Sequence, residues 1–321
     1  MQERQPASLF LTLALALSAC LAVAGCATLG EQGQSLVPTQ YRTRTGPYSV
    51  FSNFPIAADA PAIRSLHALE NDVEANLGVR VKSDEPPVEV YILNDRERFT
   101  HFLKYYYPEL PPRRAFFLAQ GTQRVVFTYM GERLEEDLRH EATHALLNVA
   151  YGDLPLWLDE GLAEYFESPD DQRGMNREHL GRLPKDLAAG WKPDLARLES
   201  VKSVRQMTPR DYRESWAWVH YLLNGSNSGK SMLLAYLADL RSDPKAATLS
   251  ARMRQDETKG PRELLAHIDR VRSLPVAVNP TTRAATTTVR LQDNALEPPR
   301  PAAPQQRSFF GRMLRAVFGQ D

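Results

Sequence analysis

The chain has 321 residues, in which 39 basic side chains balance 39 acidic ones. That balance leaves no bulk positive charge to hold a polyanion, so composition makes no case for a nucleic-acid partner. The only two cysteines lie within the first 26 residues, so the body has no disulfide framework and must stand on its hydrophobic core.

Residues 9–24 are almost wholly apolar and end in small side chains, as a secretory signal does. The closing Val23-Ala24-Gly25-Cys26 resembles the lipobox of bacterial lipoproteins, which is cleaved before a cysteine that is then lipidated. On that resemblance residues 1–25 form the signal peptide and Cys26 carries the lipid. Cys20 fits the same pattern, but cleavage there would leave an apolar Leu-Ala-Val-Ala-Gly stretch on the mature chain. A plain anchor running to residue 29 is the competing reading. Either way the body is exported and membrane-anchored in the cell envelope, on its periplasmic face, and stable anchoring calls for more than one acyl chain. Residues 26–46, rich in Gln, Thr and Gly, read as a tether.

Ordered elements are expected from there to residue 274. Residues 48–54 and 88–93 alternate as strands, 62–77 have helical periodicity ending at Gly78, and 96–107 form a helix closed by Pro108. Residues 115–119 and 124–129 flank Gln120-Gly121-Thr122-Gln123 as a hairpin. A strand edge here suits an extended peptide substrate, which can pair with it. The aromatic group Phe99, Phe102, Tyr105, Tyr106 and Tyr107 reads as packing at the core and its rim.

The next stretch carries the chemistry. Residues 132–151 contain neither Gly nor Pro, and Leu134, Leu138, Ala142, Ala145, Leu146 and Val149 recur at helical spacing. Gly152 and Pro155 supply the stop. Within this helix stands His140-Glu141-Ala142-Thr143-His144. At 3.6 residues per turn the two imidazoles lie about 40° apart and can share one metal ion, with Glu141 about 60° further round, able to reach a water at that ion without ligating it. A tetrahedral site needs one more protein ligand. The cysteines are too far away in the chain to supply it, and a metzincin-like third histidine is excluded because Leu147 and Ala150 stand where Gly and His would be needed. Carboxylates just downstream remain. In the helix 155–166, Glu160 and Glu164 lie one turn apart; Glu160 is assigned as third ligand, with Asp159 in reserve. Glu164 is expected to accept the free ring N–H of His140. Gly161 removes a side chain where two helices can approach closely.

Residues 137–166 resemble the gluzincin metallopeptidases of the peptidase MA-like superfamily, whose mark is His-Glu-x-x-His followed by a Trp-Leu-x-Glu-Gly helix bearing the ligand Glu. Here that helix reads Trp157-Leu158-Asp159-Glu160-Gly161. The sixteen-residue step from His144 to Glu160 is shorter than in thermolysin-like and aminopeptidase members, which a tight turn at 152–155 accommodates. The resemblance implies a zincin-like α+β fold, Zn²⁺ as cofactor, and a peptide or protein as substrate.

Residues 168–181 are polar and read as a loop at the cleft mouth. Residues 211–223 form a helix ending at Asn224-Gly225. It looks like the gluzincin segment whose leading Tyr donates a hydrogen bond to the oxyanion, which maps to Tyr212; packing at the helix start is the plainer reading, and His220 is the competing donor. His67, His101, His179 and His267 lack partner spacing and read as surface or core residues. Helices follow at 231–241 and 261–271, then a Pro-, Ala- and Thr-rich linker at 275–306, and a basic amphipathic helix at 307–321 able to lie on a membrane or a partner.

The expected layout is one catalytic domain over 47–274, with a sheet lobe at 47–131, active-site helices at 132–167 and a helical lobe at 168–274. The expected function is an exported, membrane-tethered zinc peptidase with Glu141 as general base. The alternatives are a non-catalytic envelope module that binds through the same scaffold, and a zinc amidase acting on cell-wall bonds.

Overall fold

Three short segments of β-branched and aromatic residues build the middle of the molecule: β2 (Tyr48–Ser52), β3 (Val88–Leu93) and β5 (Gln123–Tyr129). In the computed structural model, which describes residues 36–274 except 83, 170–171, 244 and 255–259, these strands run parallel, β2 beside β3 and β3 beside β5. Antiparallel strands β1 (Tyr41–Thr45) and β4 (Phe116–Gln120) close the two edges, giving the order β1-β2-β3-β5-β4. The fold is mixed α+β, a small five-stranded sheet followed by a mostly helical remainder.

β1 corrects one expectation. Residues 41–45 fall within the tether expected over 26–46 from its Gln-, Thr- and Gly-rich composition. They pair with β2 across a turn at Gly46, whose φ of 49° suits glycine. An edge strand bearing arginines is well suited to blunt edge-to-edge association.

Both faces of the sheet are covered. On one, Tyr48, Val50, Val90, Ile92 and Val126 join a core with α1 (Pro61–Leu77) and α3 (Leu134–Tyr151). On the other, the register aligns Phe51, Tyr91 and Phe127 in a ladder with ring centroids 4.9 and 5.2 Å apart. α2 (Arg96–Tyr106) covers that ladder, its Phe102 ring lying 4.9 Å from Phe127. Phe99, Phe102 and Tyr107 are therefore core, while Tyr105 is 68% exposed.

α3 ends where expected, at Gly152, whose φ of 72° breaks the helical path. α4 (Leu156–Phe166) follows directly and packs against α7 (Pro209–Asn224). Gly161 sits at that crossing: a Cβ there would lie 2.7 Å from the Ser215 carbonyl oxygen. α7 starts in a reciprocal capping box between Thr208 and Asp211.

Between them lie α5 (Arg177–Ala188) and α6 (Leu195–Ser200), neither of which was anticipated. α5 holds Pro184 in its interior, and Asn176 caps its start by accepting from the His179 N–H at 2.9 Å. The expected loop 168–181 thus gives way to helix at Arg177. α8 (Asn227–Ser242) begins four residues earlier than the predicted 231, because Ser226 caps it. The short α9 (Leu249–Met253) was not anticipated either, and α10 (Pro261–Arg272) completes the described body. Among the described residues no helix is long and apolar enough to cross a membrane. The signal peptide, Cys20, Cys26, most of the tether, the linker and the C-terminal helix all lie outside the described residues.

Candidate metal centre

α3 and α4 meet at a cleft of about 920 Å³, and the His-Glu-x-x-His side chains line it. His140 Nε2 and His144 Nε2 each lie 3.8 Å from Glu160 Oε2. Two donors at that separation are within reach of one cation with bonds of about 2.0–2.2 Å. His140, His144 and Glu160 are thus positioned to hold a metal ion. The donor set, two imidazole nitrogens and one carboxylate oxygen, is of the kind that holds a divalent transition metal.

Each imidazole is oriented from behind by a carboxylate, leaving Nε2 for the metal side. His144 Nδ1 lies 2.9 Å from Asp159 Oδ2, and His140 Nδ1 lies 3.3 Å from Glu167 Oε2. Such pairs fix the ring tautomer and raise ligand basicity. Asp159, the reserve ligand, is therefore the partner of His144.

Glu164 departs from expectation in the same way. Its Oε2 lies 2.9 Å from His179 Nε2 and accepts from Asn176 Nδ2 at 3.1 Å, so it faces α5. The carboxylate behind His140 is Glu167, one further turn along, which also accepts from Asn176 Nδ2 at 2.6 Å. Buried Arg139 holds the chain on either side of Glu167: its guanidinium donates to Phe166 O at 2.8 Å and Ser168 O at 3.2 Å, and pairs with Asp72 of α1. Glu167 shares the face of Glu160 at i+7, so helical spacing alone contained the signal. Nothing in the sequence marked His179 or Arg139.

The electrostatics follow from this crowding. Burial disfavours charged imidazoles, but Asp159 and Glu160 outweigh it at His144, held up at about 9, and Glu160 and Glu167 outweigh it at His140, also raised. Burial pushes Glu167 up to about 7 against the pull of His140. Glu164 is held low, since His179 and His140 overcome its burial. Glu141 is raised, chiefly by burial, with the two imidazoles opposing.

Tyr212 lines the same cleft from the first turn of α7, and burial, aided by Glu160, pushes its phenol up to about 12. His220 does not reach the cleft. It is buried, its Nδ1 2.8 Å from His267 Nε2, and burial lowers the two rings to about 3 and about 4. His220 is therefore not placed to serve as the oxyanion donor, and His267 is a core residue. His67 and His101 are exposed.

Residues 136–243 match a family model described as a protein of unknown function (DUF1570). The matched span contains the three donors and the carboxylates behind them, and leaves out the sheet. The comparison with curated proteins returned no match.

Proposed function

We propose that this chain is a zinc-dependent hydrolase, a gluzincin-like metallopeptidase on a zincin-like scaffold. The observation that carries this reading is the pair of carboxylate-backed imidazoles, Asp159 behind His144 and Glu167 behind His140, with both Nε2 atoms equidistant from Glu160. A purely structural site would have no use for Glu141 beside them. Zinc, when bound, supplies a Lewis acid that polarises the scissile carbonyl and acidifies water.

Glu141 takes the proton from the attacking water and returns it to the leaving amine. Its carboxyl, raised by burial, is a stronger base than an exposed glutamate. Tyr212 keeps its proton at neutral pH and donates it as a hydrogen bond to the carbonyl oxygen as negative charge develops. β4 ends the sheet order beside the cleft, and Phe117 on it stacks along His144 with ring centroids 6.3 Å apart. An extended peptide can add to that edge as another strand. The proposed setting is the cell envelope, with the lipid at Cys26 as the tether.

The test combines metal content with cleavage profiling of the full chain and of Glu141→Gln. The wild type is expected to bind about one zinc and cleave peptides, while Glu141→Gln keeps the metal and loses about 10²-fold or more in kcat. Full activity in Glu141→Gln, or a protein that takes up no zinc, overturns the proposal.

A further inference from the structure

Arg113 lies three residues before β4 and lines the cleft together with His140, Glu141, Glu160 and Tyr212. Its neighbour Arg114 is clamped to the first turn of α3, with Nη2 2.7 Å and Nε 2.9 Å from Asp137 Oδ1. That clamp fixes the backbone from which Arg113 extends. Arg113 itself has no ion pair or hydrogen bond among the described residues, and its Nε is buried without an acceptor.

The carboxylates on the same rim are already engaged. Glu136 pairs with Arg133 and Arg114, Asp137 with Arg114, Glu178 with Arg182, and Glu164 with His179. Among the described residues none of these carboxylates pairs with Arg113, and its charge is felt at both Glu141, which has no ion pair of its own, and Tyr212. A guanidinium stays ionised at every working pH, and its planar fork matches a carboxylate. An N–H shielded from water and left without an acceptor is costly, and a ligand oxygen arriving there removes the cost.

We infer that Arg113 is a substrate-recognition residue that takes a carboxylate of the bound peptide beside the bond to be cleaved. The inference rests on the peptidase reading and names its substrate class: peptides carrying a negative charge next to the scissile bond, either the terminal carboxylate or an Asp or Glu side chain.

Two probes separate this inference from the reading beneath it: succinic monohydroxamate, which anchors on the metal and presents a carboxylate, and its counterpart with a primary amide in place of that carboxylate. On the zinc-loaded full chain, the carboxylate form is expected to bind at least about tenfold more tightly. Arg113→Gln is expected to bring the ratio near one, and Arg113→Lys, which keeps charge and loses the fork, to fall between. Equal binding of the two probes to the wild type overturns the inference and leaves the metal site standing. Failure of both to bind overturns the peptidase reading and the inference with it. Cleavage of peptides with free against amidated C-termini, and with Glu against Gln beside the scissile bond, then tells which carboxylate is read. Preference in neither series, or an equal fall in kcat on all substrates in Arg113→Gln, also overturns it.

Discussion

Glu167 and Asp159 touch no reacting atom in the proposed chemistry, yet each decides how one imidazole points. A ring nitrogen can ligate a metal only if its lone pair faces the ion, and the carboxylate at Nδ1 enforces that by holding the proton on the far side. Removing either, as Glu167→Ala or Asp159→Ala, is expected to weaken zinc affinity about 10–100-fold, measured by competition with a chromophoric chelator. Glu164→Ala should cost less, because Glu164 faces His179 and Asn176 and not the back of His140. Unchanged affinity in Glu167→Ala would show that the 3.3 Å contact with His140 carries no orienting role. The pair His140 and His144 was legible because helix geometry dictates their spacing, and Glu160 because few carboxylates stand just downstream of them; Glu141 lines the same cleft. The sequence missed the choice between Glu164 and Glu167, since both share the face of Glu160 and only the arrival of α5 decides between them.

At the scale of elements, the site depends on how closely α4 approaches α7, because that crossing brings Tyr212 to the cleft wall. A Cβ on Gly161 would stand 2.7 Å from Ser215 O and 2.9 Å from Val219 Cγ2, and a backbone atom cannot swing aside as a side-chain tip can. Gly→Ala in a helix ordinarily stabilises by up to about 1 kcal/mol. Here overpacking should reverse the sign, so Gly161→Ala is expected to destabilise by about 1–3 kcal/mol in chemical denaturation. A stabilised variant would mean that the helices part without cost. Gly161, like the stop at Gly152, was legible because glycine in an apolar periodic segment has few other uses. β1 and α5 were not, for opposite reasons. β1 is an edge strand whose alternation is of polar residues, and its partner β2 lies on the far side of a turn. α5 carries Pro184 in its interior and is held by Asn176 at its start and by Arg213 of α7, which donates to Asp186 at 2.7 Å. Tertiary contacts of that kind override local propensity and leave no periodic trace.

The whole molecule should show the competition between protons and metal in its stability. In the metal-free protein His144 is held up at about 9 and His140 is raised too, while an unfolded histidine titrates near 6.5. Between those values the folded state binds more protons than the unfolded one, so this stabilisation is complete below about pH 6.5 and is lost as pH rises toward 9. Glu167, raised to about 7, acts in the same direction just below this window. His220 and His267, lowered to about 3 and about 4, are neutral throughout it; they cost stability only in acid, where the unfolded chain takes up protons that the buried pair refuses. Metal binding demands the reverse of what the empty site prefers, because both imidazoles must give up their protons at Nε2. Zinc uptake near neutral pH is therefore expected to release up to about two protons, read as a dependence of the calorimetric heat on buffer ionisation enthalpy. The melting temperature of the chelated protein should fall from pH 6.5 to 9, while that of the zinc-loaded protein holds, so the gap between them widens with pH. A gap that stays constant across this range would mean that the imidazoles of the empty site are already neutral, and that the carboxylates around them do not govern their charge.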